Sequence, residues 1–355
     1  MDDDETTNPA SAASVGQGSA LASGLGRIVE RLVGGTPASA SLGRRPIAVA
    51  LQGGGALGAF TWGVLDRLLE DDTVAIVSAS GASAGAVNAV VMAAGLAAGG
   101  PEEARRQLDA FWREVGTTSP SRGLMATLSA FAMPFAMARM GAHPLRPPLE
   151  QMVDFEALRA AAPLDLMIAA TRVRDGGLRL FRNSEITLDG VLASACLPML
   201  HDPIMIDGEA YWDGGLSANP PLRALAMETA ADDILLVQIL PERNGDILRG
   251  SADVARRFGE IAFSTALHSE VAALADLQTL SREAGRFGPA LARKLGRLRL
   301  HRLVAERSVP DLAEINPLQA DLPLLLRLRE AGRAAMAEWL AAAAASPVPG
   351  PMPRL

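Results

Sequence analysis

Short apolar runs alternate along this chain with longer stretches in which apolar side chains recur at helical spacing. The apolar runs, typical of buried strands, cover residues 47–51, 74–78, 166–171, 178–181 and 234–240. Helical spacing is found at 58–70, 84–98, 253–280 and 322–345. Strands that alternate with helices favour a largely parallel sheet covered on both faces, so the pattern predicts an α/β fold.

The two ends of the chain differ in composition from the part between them. Residues 1–40 mix Ser, Gly, Ala, Thr and Asp with few large apolar side chains, and residues 346–355 contain four prolines. We find no internal repeat and no linker between these ends. The sequence therefore predicts a flexible N-terminal segment at 1–40, one folded domain at 41–345 and a Pro-rich tail at 346–355.

Composition and charge narrow the classes of protein. A net charge of −7 gives no general attraction to nucleic acid, and the single cysteine, Cys196, excludes an internal disulfide and fits a reducing compartment. The acidic start of the chain differs from a secretory signal, and no apolar run reaches the roughly 18 residues of a membrane span. No His, Cys or carboxylate cluster has metal-ligand spacing. We expect a soluble cytoplasmic protein without metal or cofactor, and the sequence leaves its oligomeric state open.

Ser83 stands at the centre of a Gly-Ala-Ser-Ala-Gly pentapeptide at residues 81–85. A β-branched run precedes it and an alanine-rich helical stretch follows, and this strand–turn–helix context makes a Gly-x-Ser-x-Gly motif chemically meaningful. The turn would hold the serine hydroxyl at a helix N-terminus, where the backbone favours negative charge. Ser83 is thus a candidate nucleophile.

A glycine-rich loop, Gln-Gly-Gly-Gly-Ala-Leu-Gly at 52–58, follows the first predicted strand. Its sequence also matches the Gly-x-Gly-x-x-Gly fingerprint of dinucleotide-binding folds. Such a fold needs an acidic residue at the end of the second strand, and this chain has none there. The backbone N–H groups of Gly53, Gly54 and Gly55 can instead bind the oxyanion of a tetrahedral intermediate on Ser83. A glycine turn that only joins a strand to a helix is the alternative.

The sequence offers two kinds of base for the serine. None of the four histidines stands in a local triad signature, and His201, in a Pro-flanked loop, is the least ordinary of them. Asp213 is the stronger candidate, because the adjacent Tyr211 and Trp212 can partly desolvate its carboxylate and make it more basic. An Asp-Gly-Gly turn without a chemical role is the alternative.

The glycine loop at 53–58, the serine motif at 81–85 and the Asp-Gly-Gly motif at 213–215 together resemble the patatin-like phospholipases. The resemblance covers roughly residues 45–345. It implies a three-layer α/β/α fold with a mostly parallel central sheet, Ser83 as nucleophile, Asp213 as its base, and an oxyanion hole at Gly53, Gly54 and Gly55. It also implies that 193–198 and 219–220 flank the aspartate, and it is weakened where Leu57 replaces the Arg or Lys common in relatives.

Two segments are candidates for lipid contact. Residues 122–140 are apolar, methionine-rich and interrupted by a proline, which suits an acyl-chain wall or lid as well as a kinked core helix. Residues 282–302 carry seven basic side chains and one acid, which suits an anionic membrane surface as well as a solvated helix face.

The function predicted from these motifs is a lipid acyl hydrolase that forms an acyl-enzyme on Ser83. Its partner is a lipid or acyl-ester substrate, with peripheral membrane contact as an option. The sequence leaves open an esterase acting on a storage polyester or a small soluble ester, and a non-catalytic lipid-binding protein with the same fold.

Overall fold

A computed structural model describes residues 43–118, 143–198, 200–242, 251–283 and 289–345. Within the compact unit Arg45–Leu355, eight strands form one sheet. They are β1 (Arg45–Leu51), β2 (Val74–Gly81), β3 (Asp165–Arg172), β4 (Leu178–Arg182), β5 (Ile204–Ile206), β6 (Glu209–Asp213), β7 (Asp233–Gln238) and β8 (Arg299–Val304). The segments predicted at 1–40, 122–140 and 346–355 lie outside the described residues.

The sheet has the order β5-β6-β3-β2-β1-β7-β8, and β4 pairs with β3 beside this path. The five strands β3, β2, β1, β7 and β8 lie side by side in this order and are parallel. Strands β4 and β6 both pair antiparallel with β3, and β5 pairs antiparallel with β6. The carboxyl ends of the parallel strands therefore share one edge of the sheet, where the glycine loop and Ser83 follow β1 and β2.

Helices fill most connections between the strands. They are α1 (Gly58–Leu69), α2 (Ala84–Gly99), α3 (Pro101–Thr118), α4 (Arg146–Met152), α5 (Phe155–Ala161), α6 (Leu188–Ser194), α7 (Leu222–Glu228), α8 (Ser251–Glu283), α9 (Ala290–Arg297) and α10 (Leu322–Ala345). Short 3-10 turns at Gly55–Leu57 and Gly214–Leu216 lead out of the glycine loop and out of β6.

Each face of the sheet has its own apolar core because side chains alternate along a strand. Ile47, Val49 and Leu51 of β1 join a core formed with α1, α2, α3 and α10, whereas Ala48 and Ala50 join a second core formed with α7, α8 and α9. This arrangement confirms the predicted α/β/α fold with a mostly parallel sheet.

The predicted elements agree with the structure where the apolar period is clear. The strands at 47–51 and 178–181 and the helices at 58–70 and 322–345 are found with ends that differ by two residues or fewer. The sequence did not predict β6 as a strand, because it runs directly into a Gly-Gly turn. Its last residue is Asp213, so this strand helps to build the candidate site.

A buried ionic cluster ties α1 to α3 and α10. The carboxylate of Asp66 is 2 % exposed and accepts hydrogen bonds from Arg105 (2.7 Å), Arg329 (2.8 Å) and Arg333. Burial alone would raise the pKa of Asp66, but the hydrogen bonds from Arg105 and Arg333, together with the charges of Arg329 and Arg333, lower it below its ordinary value. The charge is therefore compensated, and we assign the cluster to stability.

Candidate active site

Ser83 lies in a strained turn between β2 and α2. Its backbone has φ +52° and ψ −127°, a conformation that L-residues with a side chain rarely adopt. Its N–H donates to both the carbonyl and the Oγ of Ser194, each at 3.1 Å, which anchors the turn to the end of α6. The serine is 8 % exposed and immediately precedes the first turn of α2.

The two glycines of the serine motif are required by close packing. A Cβ on Gly81 would lie 2.5 Å from the carbonyl carbon and oxygen of Gly85, and a Cβ on Gly85 would lie 2.0 Å from the carbonyl oxygen of Leu51. Both distances are far below ordinary contact. The close approach of this turn to the end of β1 therefore depends on residues without side chains.

Asp213 is fully buried at the end of β6, opposite Ala170 of β3. Its Oδ1 accepts a hydrogen bond from the N–H of Gly215 at 2.8 Å, and its own N–H donates to the carbonyl of Cys196 at 2.8 Å. Burial raises the pKa of Asp213 to about 7, against the lowering effects of the Gly215 N–H and the Ser83 side chain.

The other carboxylate oxygen, Asp213 Oδ2, is buried and has no partner at full hydrogen-bond geometry among the described residues. The Ser83 side chain lowers the pKa of this carboxylate. The backbones of the two residues are held by neighbouring groups, since the N–H of Ser83 donates to Ser194 and the N–H of Asp213 donates to the carbonyl of Cys196. The structure thus brings together the two residues that the sequence selected, although 130 positions separate 83 from 213.

The glycine loop lies directly against the serine turn. A Cβ on Gly53 would lie 2.8 Å from the Cβ of Ser83. The Gly53 N–H donates to Asn219 Oδ1 at 2.7 Å, so this amide is already occupied. The N–H groups of Gly54 and Gly55 donate to no described residue. Of the three predicted oxyanion donors, these two are therefore the ones available without rearrangement.

Asn219 and Ser194 are site residues that reasoning from the residue patterns missed. Asn219 is fully buried, and besides holding Gly53 its Nδ2 donates to the carbonyl of Phe263 at 3.3 Å. Ser194 holds the N–H of Ser83, and Cys196, two residues on, holds that of Asp213. In the sequence, only the family resemblance pointed to the segments 193–198 and 219–220, and it did not indicate which residues these two side chains would contact.

The histidines do not replace Asp213. The ring of His201 stacks on that of His143 with 4.3 Å between centroids, and His143 Nε2 lies 3.1 Å from the carbonyl oxygen of Ala195. Burial lowers the pKa of both imidazoles, that of His143 to about 4. No hydrogen bond joins either ring to Ser83 or Asp213, and in the part of the chain that the structure describes no cluster of three metal-ligating side chains is found.

The basic stretch at 282–302 lies partly at the opposite edge of the sheet. Arg299 begins β8 and donates to the buried carboxylate of Asp233, and Arg297 lies 3.8 Å from Asp232. Asp233 is the first residue of β7 and so marks the amino edge. These arginines are engaged by carboxylates away from Ser83. Among the described residues, no helix has the length and hydropathy needed to cross a membrane.

The fold and this turn define an α/β protein with a serine presented between a strand and a helix. The family model described as Patatin-like phospholipase matches residues 49–226, which is half of the chain. The chain belongs to the patatin-like phospholipase family, and this membership supports lipid hydrolase activity.

Solved structures that are similar to the chain include VipD and the ExoU–SpcU complex. VipD from Legionella pneumophila is 12 % identical with a TM-score of 0.34, over 82 % of this chain and 67 % of that one. The ExoU–SpcU complex of the type III secretion system of Pseudomonas aeruginosa gives 16 % identity and a TM-score of 0.26, over 85 % and 72 %. Sequence identities and TM-scores this low support no conclusion about function. No curated protein matches the chain.

Proposed function

We propose that this protein is a serine lipid acyl hydrolase in which Ser83 is the nucleophile and Asp213 its base. The observation that carries the proposal is the buried Asp213 carboxylate, whose pKa is raised to about 7 and whose Oδ2 lacks a full hydrogen-bond partner beside the serine. A base with a pKa near 7 is strong enough to accept a proton and is about half ionised at neutral pH.

Acylation begins when the carboxylate of Asp213 takes the proton of the Ser83 hydroxyl. Oγ then bonds to the carbonyl carbon of the ester, and the carbonyl oxygen becomes an oxyanion. When the intermediate collapses, the bond to the alcohol oxygen breaks and Asp213 returns its proton to that oxygen. The alcohol leaves and the acyl group remains on Ser83.

Deacylation repeats these steps with water. Asp213 takes a proton from a water molecule, the resulting hydroxide oxygen bonds to the acyl carbon, and a second oxyanion forms. Collapse breaks the bond to Oγ, which receives the proton from Asp213 while the carboxylic acid leaves. The strained turn before α2 supports this role for Ser83, because a nucleophilic serine is commonly presented on such a strand-to-helix turn.

The oxyanion is assigned to the glycine loop at Gly53–Gly55. Gly54 and Gly55 have N–H groups free of described partners, whereas Gly53 would donate only after exchanging Asn219 Oδ1 for the oxyanion. A preorganised donor of this kind lowers the barrier by about 3–4 kcal/mol. Two such donors compensate for the absent cation at Leu57.

The first test is hydrolysis of p-nitrophenyl butyrate by the wild type and by Ser83→Ala, Asp213→Asn and Ser80→Ala. Ser80 is a matched control because it is a buried serine of β2, three residues before the nucleophile. We expect activity and labelling by a fluorophosphonate in the wild type and in Ser80→Ala. Both should be lost in Ser83→Ala, and hydrolysis should be lost in Asp213→Asn. Full activity of either of these two variants would contradict the dyad.

A further inference from the structure

The N-terminal part of α8 extends beyond the edge of the sheet at which Ser83 lies. Phe263 lies at the site itself, because its carbonyl accepts a hydrogen bond from Asn219 and its ring fills the space that a Cβ on Gly215 would need. At the other end, Gln278 donates to the carbonyl of Leu298, the residue before β8. The helix therefore runs from the carboxyl edge to the amino edge, and the twelve residues before Phe263 span about 18 Å.

This projecting part, residues 251–262, exposes large apolar side chains. Phe258 is 75 % exposed, Val254 52 % and Ile261 49 %. Their spacing of four and three residues places them on one side of the helix. No described residue of α8 before Leu267 is buried, and a Cβ on Gly259 would meet nothing within 4 Å. The apolar side chains thus face open space next to the site.

The exposed stripe changes character further along α8. Thr265, His268, the small Ala272 and Asp276 continue it over the body of the protein, and the next large exposed apolar side chain is Leu280 at the far end. On the projecting part the described charges of Arg257 and Glu260 pair with each other at 3.0 Å. The large exposed apolar side chains are therefore concentrated at the end of α8 nearer the site, and this surface has little net charge among its described side chains.

We propose that Val254, Phe258 and Ile261 form a docking surface that inserts into the surface of aggregated lipid and brings the substrate to Ser83. This inference rests on the proposed function, since a lipid hydrolase must reach an ester bond held at such a surface. Three side chains supply on the order of 300 Å², well below the roughly 800 Å² that each partner contributes to a stable protein interface. A lipid surface requires no such area or matching shape.

The experiment compares the full-length wild type with the double variant F258S/I261S and with the control L280S. Leu280 is 62 % exposed on the same helix, so the control makes the same chemical change away from the site. Flotation measures binding to phosphatidylcholine vesicles with and without phosphatidylglycerol. Hydrolysis is measured on the vesicle phospholipid and on soluble p-nitrophenyl butyrate.

We expect the double variant to bind vesicles at least about tenfold more weakly and to hydrolyse vesicle lipid correspondingly more slowly. Hydrolysis of the soluble ester should change less than about twofold, and L280S should behave as the wild type. Binding should depend little on phosphatidylglycerol, because the described charges of the surface are paired.

Several outcomes would overturn the docking surface. One is that the double variant binds vesicles as tightly as the wild type does. Another is that the wild type binds neither kind of vesicle. A third is that the wild type is a dimer in solution and F258S/I261S is a monomer. A wild type that hydrolyses neither substrate, but binds vesicles through Phe258 and Ile261, would support the surface and refute the proposed hydrolase. The experiment therefore distinguishes a failure of the docking surface, seen in vesicle binding, from a failure of the proposed hydrolase, seen in hydrolysis.

Discussion

Asp213→Asn should remove catalysis and at the same time reduce the pH dependence of stability. In the folded protein, burial holds the pKa of Asp213 at about 7, against an ordinary value of 3.8. Between these two values the folded state binds a proton that the unfolded state releases. The free energy of unfolding of the wild type therefore decreases as the pH rises through this range.

The magnitude follows from the two pKa values. The interval between 3.8 and about 7, at about 1.4 kcal/mol for each pKa unit, corresponds to about 4 kcal/mol when the carboxylate is fully ionised in both states. Between pH 5 and pH 8 the difference amounts to roughly 2–3 kcal/mol. Asparagine has no charge to desolvate and keeps an oxygen for the Gly215 N–H, so this contribution disappears in the variant.

Urea unfolding of both proteins at pH 5 and pH 8 measures the effect. The wild type should lose roughly 2–3 kcal/mol more than Asp213→Asn over this range, and the comparison cancels other titrating groups. Ser83→Ala is the control, because it is also inactive but keeps the carboxylate. Since the serine lowers the pKa of Asp213, this control should retain or increase the pH dependence. Parallel pH profiles for the wild type and Asp213→Asn would refute the raised pKa.

Four further predictions concern the site and its support. The kcat/KM for a soluble ester should fall as the pH drops below about 7, because protonated Asp213 accepts no proton; a flat profile from pH 5 to 8 would rule this base out. Asn219→Ala should lower kcat by roughly 10- to 100-fold with little change in KM, as the glycine loop loses its hydrogen bond; normal kcat would show the contact to be dispensable. Gly53→Ala should inactivate the enzyme, since its Cβ would lie 2.8 Å from that of the serine, while Gly259→Ala, which meets open space, should leave soluble-ester activity intact. Asp66→Ala should lower the free energy of unfolding by about 1.5–3 kcal/mol in urea, because it removes the buried carboxylate that three half-buried arginines share, and a loss below 1 kcal/mol would contradict this.

The local features of the site could be predicted from the sequence. Ser83 stands between an apolar run and an alanine-rich helix, and the glycine loop stands between another apolar run and the next helix. Strand, turn and helix depend mainly on neighbouring residues, so their patterns are legible in a single sequence. The same alternation predicted a largely parallel sheet covered on both faces, which the structure confirms. The catalytic roles remain predictions to be tested by the variants above.

Which groups of the site are buried, ionised and free was decided by the tertiary structure. The sequence suggested partial desolvation of Asp213, whereas packing buries it completely and moves its pKa to about 7. The amide of Gly53 is occupied by Asn219, 166 residues away, and Ser194, 111 residues from Ser83, holds the turn. Burial and long-range hydrogen bonds depend on which segments meet in three dimensions. The residues adjacent in sequence that specify a strand or a turn carry no information about these tertiary contacts.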